Sequence, residues 1–119
     1  MSTKKKDPND VAFNASMRSN VLTRARLHKR IPKDKQYLHR VADEYADLQE
    51  KILKLEHAVW RGVPNPDGDL VTVYTDFAKG LPGQDRQLLV RQHKAMCTYR
   101  DILVTRLNRF KPNIFFPKK

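Results

Sequence analysis

The sequence has few of the residues from which redox, metal and phosphate-loop sites are built. Cys97 is the only cysteine, so no disulfide can form within the chain, and we expect a reducing, cytoplasmic location. The four glycines all lie between residues 62 and 83, and neither a P-loop nor a G-x-G-x-x-G motif occurs. None of the four histidines is spaced from a cysteine or carboxylate as a metal ligand would be. We therefore predict neither a metal nor a cofactor.

Groups for catalysis are equally scarce. His93 and Cys97 are four residues apart and could touch on one helix face, but no orienting third group or oxyanion hole is evident. Asp43 and Glu44 are adjacent, so they point to different parts of a helix surface. These observations predict a binding protein rather than an enzyme.

Long apolar runs are also missing. No run approaches the roughly 18 residues of a membrane span, and the N-terminus has no apolar core of a secretory signal. We expect no contact with membrane. Apolar residues make up only 39% of the chain, which predicts a thin core and therefore a homo-oligomer.

Acidic residues are depleted at both ends of a chain with net charge +11. Residues 1–35 hold ten Lys or Arg against three acids, and residues 106–119 hold five against none. Residues 36–105 hold nine bases and ten acids. This distribution favours an anionic partner held between basic ends, with solubilising tails as the simpler alternative.

Residues 1–36 form a basic N-terminal segment. Its first nine residues are polar and include Pro8, which predicts a mobile arm. Residues 10–30 predict a weak helix with Asp10 as its N-cap.

The strongest periodicity follows, in residues 37–61. Apolar residues recur at alternating spacings of three and four and predict one amphipathic helix that ends before Gly62 and Pro64. They are Leu38, Val41, Tyr45, Leu48, Ile52, Leu55 and Val59.

The connector, residues 62–84, contains turn signals at Pro64, Pro66 and Asp67-Gly68. Residues 70–74 could form a short β segment, although the sequence shows no partner strand. The connector is interpreted as a functional loop or, equally, as a simple insertion.

A second amphipathic helix is predicted over residues 85–110, with Asp85 as its N-cap and Pro112 beyond its end. Residues 111–119 form a basic C-terminal tail. The predicted fold class is all-α: an antiparallel two-helix hairpin over residues 37–110 with an additional N-terminal helix.

The two long helices resemble a helical-hairpin family that is widespread in bacteriophages. The resemblance rests on Arg40-Val41, on L-x-x-K-I-x-x-L from Leu48, and on L-L-x-x-Q-x-x-A-M-x-x-Y-x-x-I-L-x-x-R-L from Leu88. An F-x-x-L element before the second helix is one residue longer here, F-A-K-G-L from Phe77. The hairpin is similar to the domain shared by phage anti-CBASS and Thoeris anti-defence sponge proteins. The longer connector and the basic N-terminal segment are not part of the pattern.

This resemblance implies a phage anti-defence protein that binds and sequesters a cyclic nucleotide-type immune signal without cleaving it, in the host cytoplasm. Phosphates would be held by Arg and Lys from adjacent protomers, and a base would stack on an aromatic ring. The candidate ligand-binding residues are Tyr37, Arg40, Lys94 and Arg106. Tyr99 lies on the apolar stripe and is interpreted as a core residue.

Two other functions fit the residues. A basic nucleic-acid-binding accessory protein would use the charged ends and would bind with a steep dependence on salt. A protein–protein adaptor that inhibits a host defence protein would depend on the connector or on Trp60.

Overall fold

A computed structural model describes residues 7–116. The elements are α1 (Pro8–Arg30), α2 (Gln36–Val59), β1 (Trp60–Pro64), β2 (Leu70–Tyr74), α3 (Asp76–Lys79) and α4 (Gly83–Phe110). The predicted fold class is confirmed in its main features, since the chain is mostly helical with one short two-stranded antiparallel sheet. Within residues 7–116, no helix has the length and apolar composition that a membrane crossing requires.

Helix α1 begins earlier than the sequence predicts. Its N-cap is Asp7, whose carboxylate accepts a hydrogen bond from the backbone N–H of Asn9 at 2.8 Å. Asp10 therefore lies in the first turn and is not the N-cap. Pro8 fits the first helical position because the N–H it lacks would have no partner there. The expectation of a mobile arm is wrong for Pro8 and Asn9, and residues 1–6 lie outside the described part of the chain.

Helix α2 is the central element, with α1 and α4 packed against it. Four of the seven predicted seam positions are buried and the other three are half-buried. The helix ends at Val59, within two residues of the expected end. The side-chain amide of Asn20 donates to the carbonyl of Ala46 at 2.9 Å in a buried contact.

The partner of the predicted β segment is the stretch that follows α2 directly. β1 and β2 pair antiparallel with Gly62 opposite Thr72. The Asn65 side chain organises the turn between them by accepting hydrogen bonds from the N–H groups of Asp67 and Asp69. Gly68 has φ of 89°, which a residue with a side chain rarely adopts.

Helix α4 also begins earlier than predicted. Pro82 is its N-cap, so Asp85 lies in the first turn and is not the cap. Helix α3 is capped by Thr75, whose hydroxyl accepts a hydrogen bond from the N–H of Ala78 at 3.2 Å.

One core cluster forms where the C-terminal ends of α1 and α4 meet the N-terminal end of α2. Its fully buried members include Leu27, Leu103 and Leu107. Ile114, which the sequence places in the basic tail, is also fully buried in this cluster. The Arg30 guanidinium donates to the carbonyls of Ile114 and Phe115 and thereby joins this C-terminal stretch to α1.

The molecule is elongated and leaves one side of α4 uncovered. Its radius of gyration is 17.5 Å, whereas a compact domain of this length has about 13.5 Å. Leu88, Tyr99 and Ile102 on α4 are all exposed. Tyr99 retains 42% of its accessible surface, so its interpretation as a core residue is wrong.

Candidate functional site

A cavity of about 450 Å³ lies between α2 and α4. Helical periodicity on α2 turns several charged residues toward it, and Tyr99 of α4 contributes an aromatic wall. The lining residues are Arg40, Asp43, Glu44, Asp47, Leu48, Lys51 and Tyr99. The cavity is thus built from an aromatic ring, two cationic side chains and three carboxylates.

Two of those carboxylates are engaged by α1. The Arg24 guanidinium bonds Asp43 at 3.1 Å and also contacts Asp47. His28 Nε2 lies 2.7 Å from the Asp43 carboxylate. Partial burial alone would raise the pKa of Asp43, but the hydrogen bonds and charges of His28 and Arg24 outweigh it, so the pKa is lowered. Asp43 and Asp47 therefore have cationic or hydrogen-bonding partners already.

The third carboxylate is close to Tyr99. A hydrogen bond with Glu44 is the largest cause that raises the pKa of Tyr99, whereas the nearby charge of Arg106 lowers it. Arg106 is therefore near Tyr99, but it lines a separate cavity of about 390 Å³ on α4, together with Ile102 and Arg109 among others. In the part of the chain that the structure describes, Arg40, Lys51 and Arg106 form no ion pair. These three cations can meet an anionic ligand without first losing a carboxylate partner.

The four candidate ligand-binding residues do not all come together. Arg40 lines the cavity, Tyr37 is exposed one helical turn before it on α2, and Arg106 lies near Tyr99. Lys94 is exposed on α4 but lies twelve residues before Arg106, a rise of about 18 Å along the helix. Within one protomer, Lys94 and Arg106 cannot hold the same phosphate.

Three residues that line the cavity, Glu44, Lys51 and Tyr99, were not predicted from the sequence as ligand-binding residues. A signal for Tyr99 was nevertheless present in the α4 motif, where apolar residues occur in adjacent pairs such as Ile102-Leu103. In that pair Leu103 is buried and Ile102 is exposed. A stripe of that width is broader than one neighbouring helix covers, which indicates a second, uncovered face.

The His93–Cys97 pair is not arranged as a nucleophile and its base. The same nitrogen, His93 Nε2, lies 2.9 Å from the Glu56 carboxylate and 3.6 Å from the Cys97 sulfur. A catalytic relay uses one ring nitrogen for the nucleophile and the other for the orienting carboxylate. The contact therefore joins α2 to α4 and does not resemble an activated thiol.

Trp60 packs within the protein at the opposite end of the α2–α4 pair. Its ring stacks on Tyr74 of β2 and meets the edge of His93 at 4.9 Å. A smaller cavity of about 240 Å³ beside it is lined by Phe13, His57 and Arg61 among others. Residues 7–116 contain no group of three or more His, Cys, Asp or Glu side chains placed to hold a metal ion.

Comparison with known proteins gives one finding on the α4 side of the site. The model of a family described as Sequestin matches residues 68–109, which include Tyr99 and Arg106. This match covers about a third of the chain. It confirms the resemblance to a sequestering family, and the name indicates that a molecule is sequestered. No curated protein and no solved structure matches the chain.

Proposed function

We propose that this protein binds an anionic nucleotide signal and sequesters it without cleaving it. The observation that carries the proposal is that Arg40 and Tyr99 line one cavity between α2 and α4, with Arg106 near enough to Tyr99 for its charge to lower the pKa of that ring. Tyr99 and Arg106 also belong to the segment that matches the Sequestin family.

The residues suit a nucleotide because they offer both kinds of contact that it needs. Guanidinium groups of Arg40 and Arg106 bond phosphate oxygens in a planar fork, and an aromatic ring such as Tyr99 or Tyr37 stacks on a base. The cavity volume of about 450 Å³ lies within the range of about 300–1,000 Å³ that small-molecule sites occupy. A cyclic dinucleotide or trinucleotide is the ligand class we favour.

Sequestration requires affinity and abundance but no reaction. A ligand is removed from solution when the protein concentration exceeds both the dissociation constant and the ligand concentration. We propose that an infected host cell supplies the ligand as an immune signal, and that the protein acts there as a phage anti-defence protein. The α2–α4 hairpin would be the binding unit, and homo-oligomerisation would bring Lys94 of an adjacent protomer to the ligand.

The test is a thermal-shift panel with cyclic dinucleotides, cyclic trinucleotides, cyclic ADP-ribose isomers and a short DNA duplex, at low and moderate salt. We expect one cyclic nucleotide to raise the melting temperature by several degrees at both salt concentrations, because a ligand that binds only the native state stabilises it. The same nucleotide should be recovered intact after the protein is heated.

Three results would overturn the proposal. A flat response to every nucleotide with a salt-sensitive shift on DNA would favour the nucleic-acid-binding alternative. Recovery of a cleaved nucleotide would show an enzyme. A response to no compound would leave the adaptor that inhibits a host protein as the better hypothesis.

A further inference from the structure

The two outer edges of the β1–β2 sheet differ in whether their backbone groups are free to pair with another strand. The side-chain amide of Asn9 bonds Gly62 twice, with the Gly62 N–H donating at 2.8 Å and the Gly62 carbonyl accepting at 3.1 Å. Both backbone groups of Gly62 therefore point away from β2. Gly62 and Thr72 are consequently a non-hydrogen-bonded pair in the antiparallel ladder.

The outer edge of β1 has no backbone donor left to offer. The alternate residues of β1 that face outward are Trp60, Gly62 and Pro64. The Trp60 N–H donates to the carbonyl of Glu56 at the end of α2, and the Gly62 N–H donates to Asn9. Pro64 has no N–H, and proline is a common device that blocks pairing at a sheet edge.

The outer edge of β2 is open. By the same register, the N–H and C=O groups of Leu70, Thr72 and Tyr74 point away from β1. No other segment of residues 7–116 pairs with that edge. The strand is uncharged, and Leu70 is 76% exposed. An uncharged, β-branched strand with free backbone groups is a template for another strand.

We infer that β2 pairs antiparallel with β2 of a second copy of this chain, about a two-fold axis at Thr72. This arrangement gives partners to the outward N–H and C=O groups of all three residues, because Thr72 meets its own counterpart while Leu70 meets Tyr74 of the other copy. It turns a two-stranded sheet, which is marginally stable alone, into a four-stranded sheet.

Charge favours the antiparallel pairing of two copies. The turn before β2 carries Asp67 and Asp69 and no base. The guanidinium of Arg86 lies over the Tyr74 ring, 5.2 Å from its centroid, at the opposite end of β2. An antiparallel pair brings the acidic turn of each copy to the Arg86 end of the other, whereas a parallel pair would bring the two acidic turns together.

The decisive variant is Thr72→Pro. It removes an outward donor, but because the Thr72 N–H does not bond β1, the β1–β2 ladder should survive. We expect light scattering after size-exclusion chromatography to give half the wild-type mass, with unchanged helical circular dichroism. The matched control Thr72→Val keeps both the N–H and the branched side chain, and should keep the wild-type mass.

A second pair of variants guards against misfolding of the proline variant. Thr72→Lys and Thr72→Glu each place like charges opposite one another at the two-fold axis and should each lower the mass. Mixing them should restore the wild-type mass, since opposite charges then face each other. Amide hydrogen exchange should slow at Leu70, Thr72 and Tyr74 as wild-type protein is concentrated.

A monomeric wild type would overturn the inference, and so would a folded Thr72→Pro variant of full mass. Pairing of β2 only with a strand of another protein would also overturn it. The inference specifies one interface of the proposed homo-oligomer and does not require a ligand. The thermal shift of Thr72→Lys with the cyclic nucleotide tests ligand binding apart from β2 pairing. A failure of the β2 pairing can therefore be told from a failure of the proposed function.

Discussion

Arg40 on α2 and Arg106 on α4 form no ion pair within residues 7–116. Arg24, by contrast, is held by Asp43 and Asp47. We expect Arg106→Ala to weaken binding of the cyclic nucleotide by about ten- to a hundredfold, since a hydrogen bond to a charged group contributes about 1.5–3 kcal/mol. Isothermal titration calorimetry measures this change.

Arg91→Ala is the matched control, because it removes the same side chain from an exposed position of the same helix. It should leave the affinity within about twofold of the wild type, since long-range effects of a surface charge are largely screened. Equal losses in both variants would indicate general electrostatic attraction and would contradict a defined phosphate contact at Arg106.

The lowered pKa of Asp43 predicts how the stability of the protein depends on pH. Its pKa is lowered in the folded protein, so its contribution to stability is present above the ordinary value of 3.8 and is lost as the pH falls through the lower, folded-state value. Asp43→Asn should reduce the free energy of unfolding by no more than about 1 kcal/mol at pH 7, because the side chain is half-exposed. Urea unfolding should show this difference disappearing well below pH 3.8.

A useful comparison is Asp67→Asn, since Asp67 forms no ion pair in the described part of the chain. Asp67→Asn should change the free energy of unfolding only slightly, both at pH 7 and well below pH 3.8. A loss at neutral pH as large as that of Asp43→Asn would argue against the contacts of Asp43 with Arg24 and His28 as the cause.

At the scale of elements, the stretch that follows α4 belongs to the core. Ile114 is completely buried, whereas Phe116, two residues later, is 86% exposed. Ile114→Ala should lower the free energy of unfolding by about 2–5 kcal/mol through lost burial and a cavity. Phe116→Ala should change it by less than about 0.5 kcal/mol. Chemical denaturation of the two variants measures both, and equal effects would contradict the packing of Ile114.

The parts of the fold that could be predicted are those set by neighbours in sequence. The seam from Leu38 to Val59 specifies α2 because a helix needs only residues three and four apart on one face. Strand β1 could not be predicted, since Gly62 and Pro64 are helix breakers and look like a turn. Asn9, 53 residues away in sequence, bonds both backbone groups of Gly62, and such a contact leaves no local pattern.

In the candidate site, too, some features could be predicted from the sequence and others depend on how the helices pack. Arg40 and Arg106 could be chosen from the family resemblance, and one helix face relates Arg40 to Lys51. The exposure of Tyr99 could not be derived from a stripe alone, because a stripe does not say which of its two sides a neighbouring helix covers. The distance that separates Lys94 from Arg106 follows from helical rise once both are known to lie on α4.

For the whole molecule, part of the positive charge behind the net +11 is already engaged within the protein and is not free to bind a polyanion. Arg24 is engaged by two carboxylates and Arg30 by two backbone carbonyls. The molecule extends over 50 × 41 × 29 Å. A small ligand can meet only the cations around one cavity, whereas a nucleic acid can meet many.

Salt dependence therefore distinguishes the two kinds of partner. A protein that makes about six to ten phosphate contacts with DNA loses about 10³–10⁵-fold in affinity between about 50 and 200 mM salt. A cyclic nucleotide held by Arg40 and Arg106 should lose less than about tenfold over the same range, because only a few charges are neutralised. Deletion of residues 1–6, which removes three lysines, should leave that affinity unchanged. A steep slope that flattens on this deletion would instead identify nucleic acid as the partner.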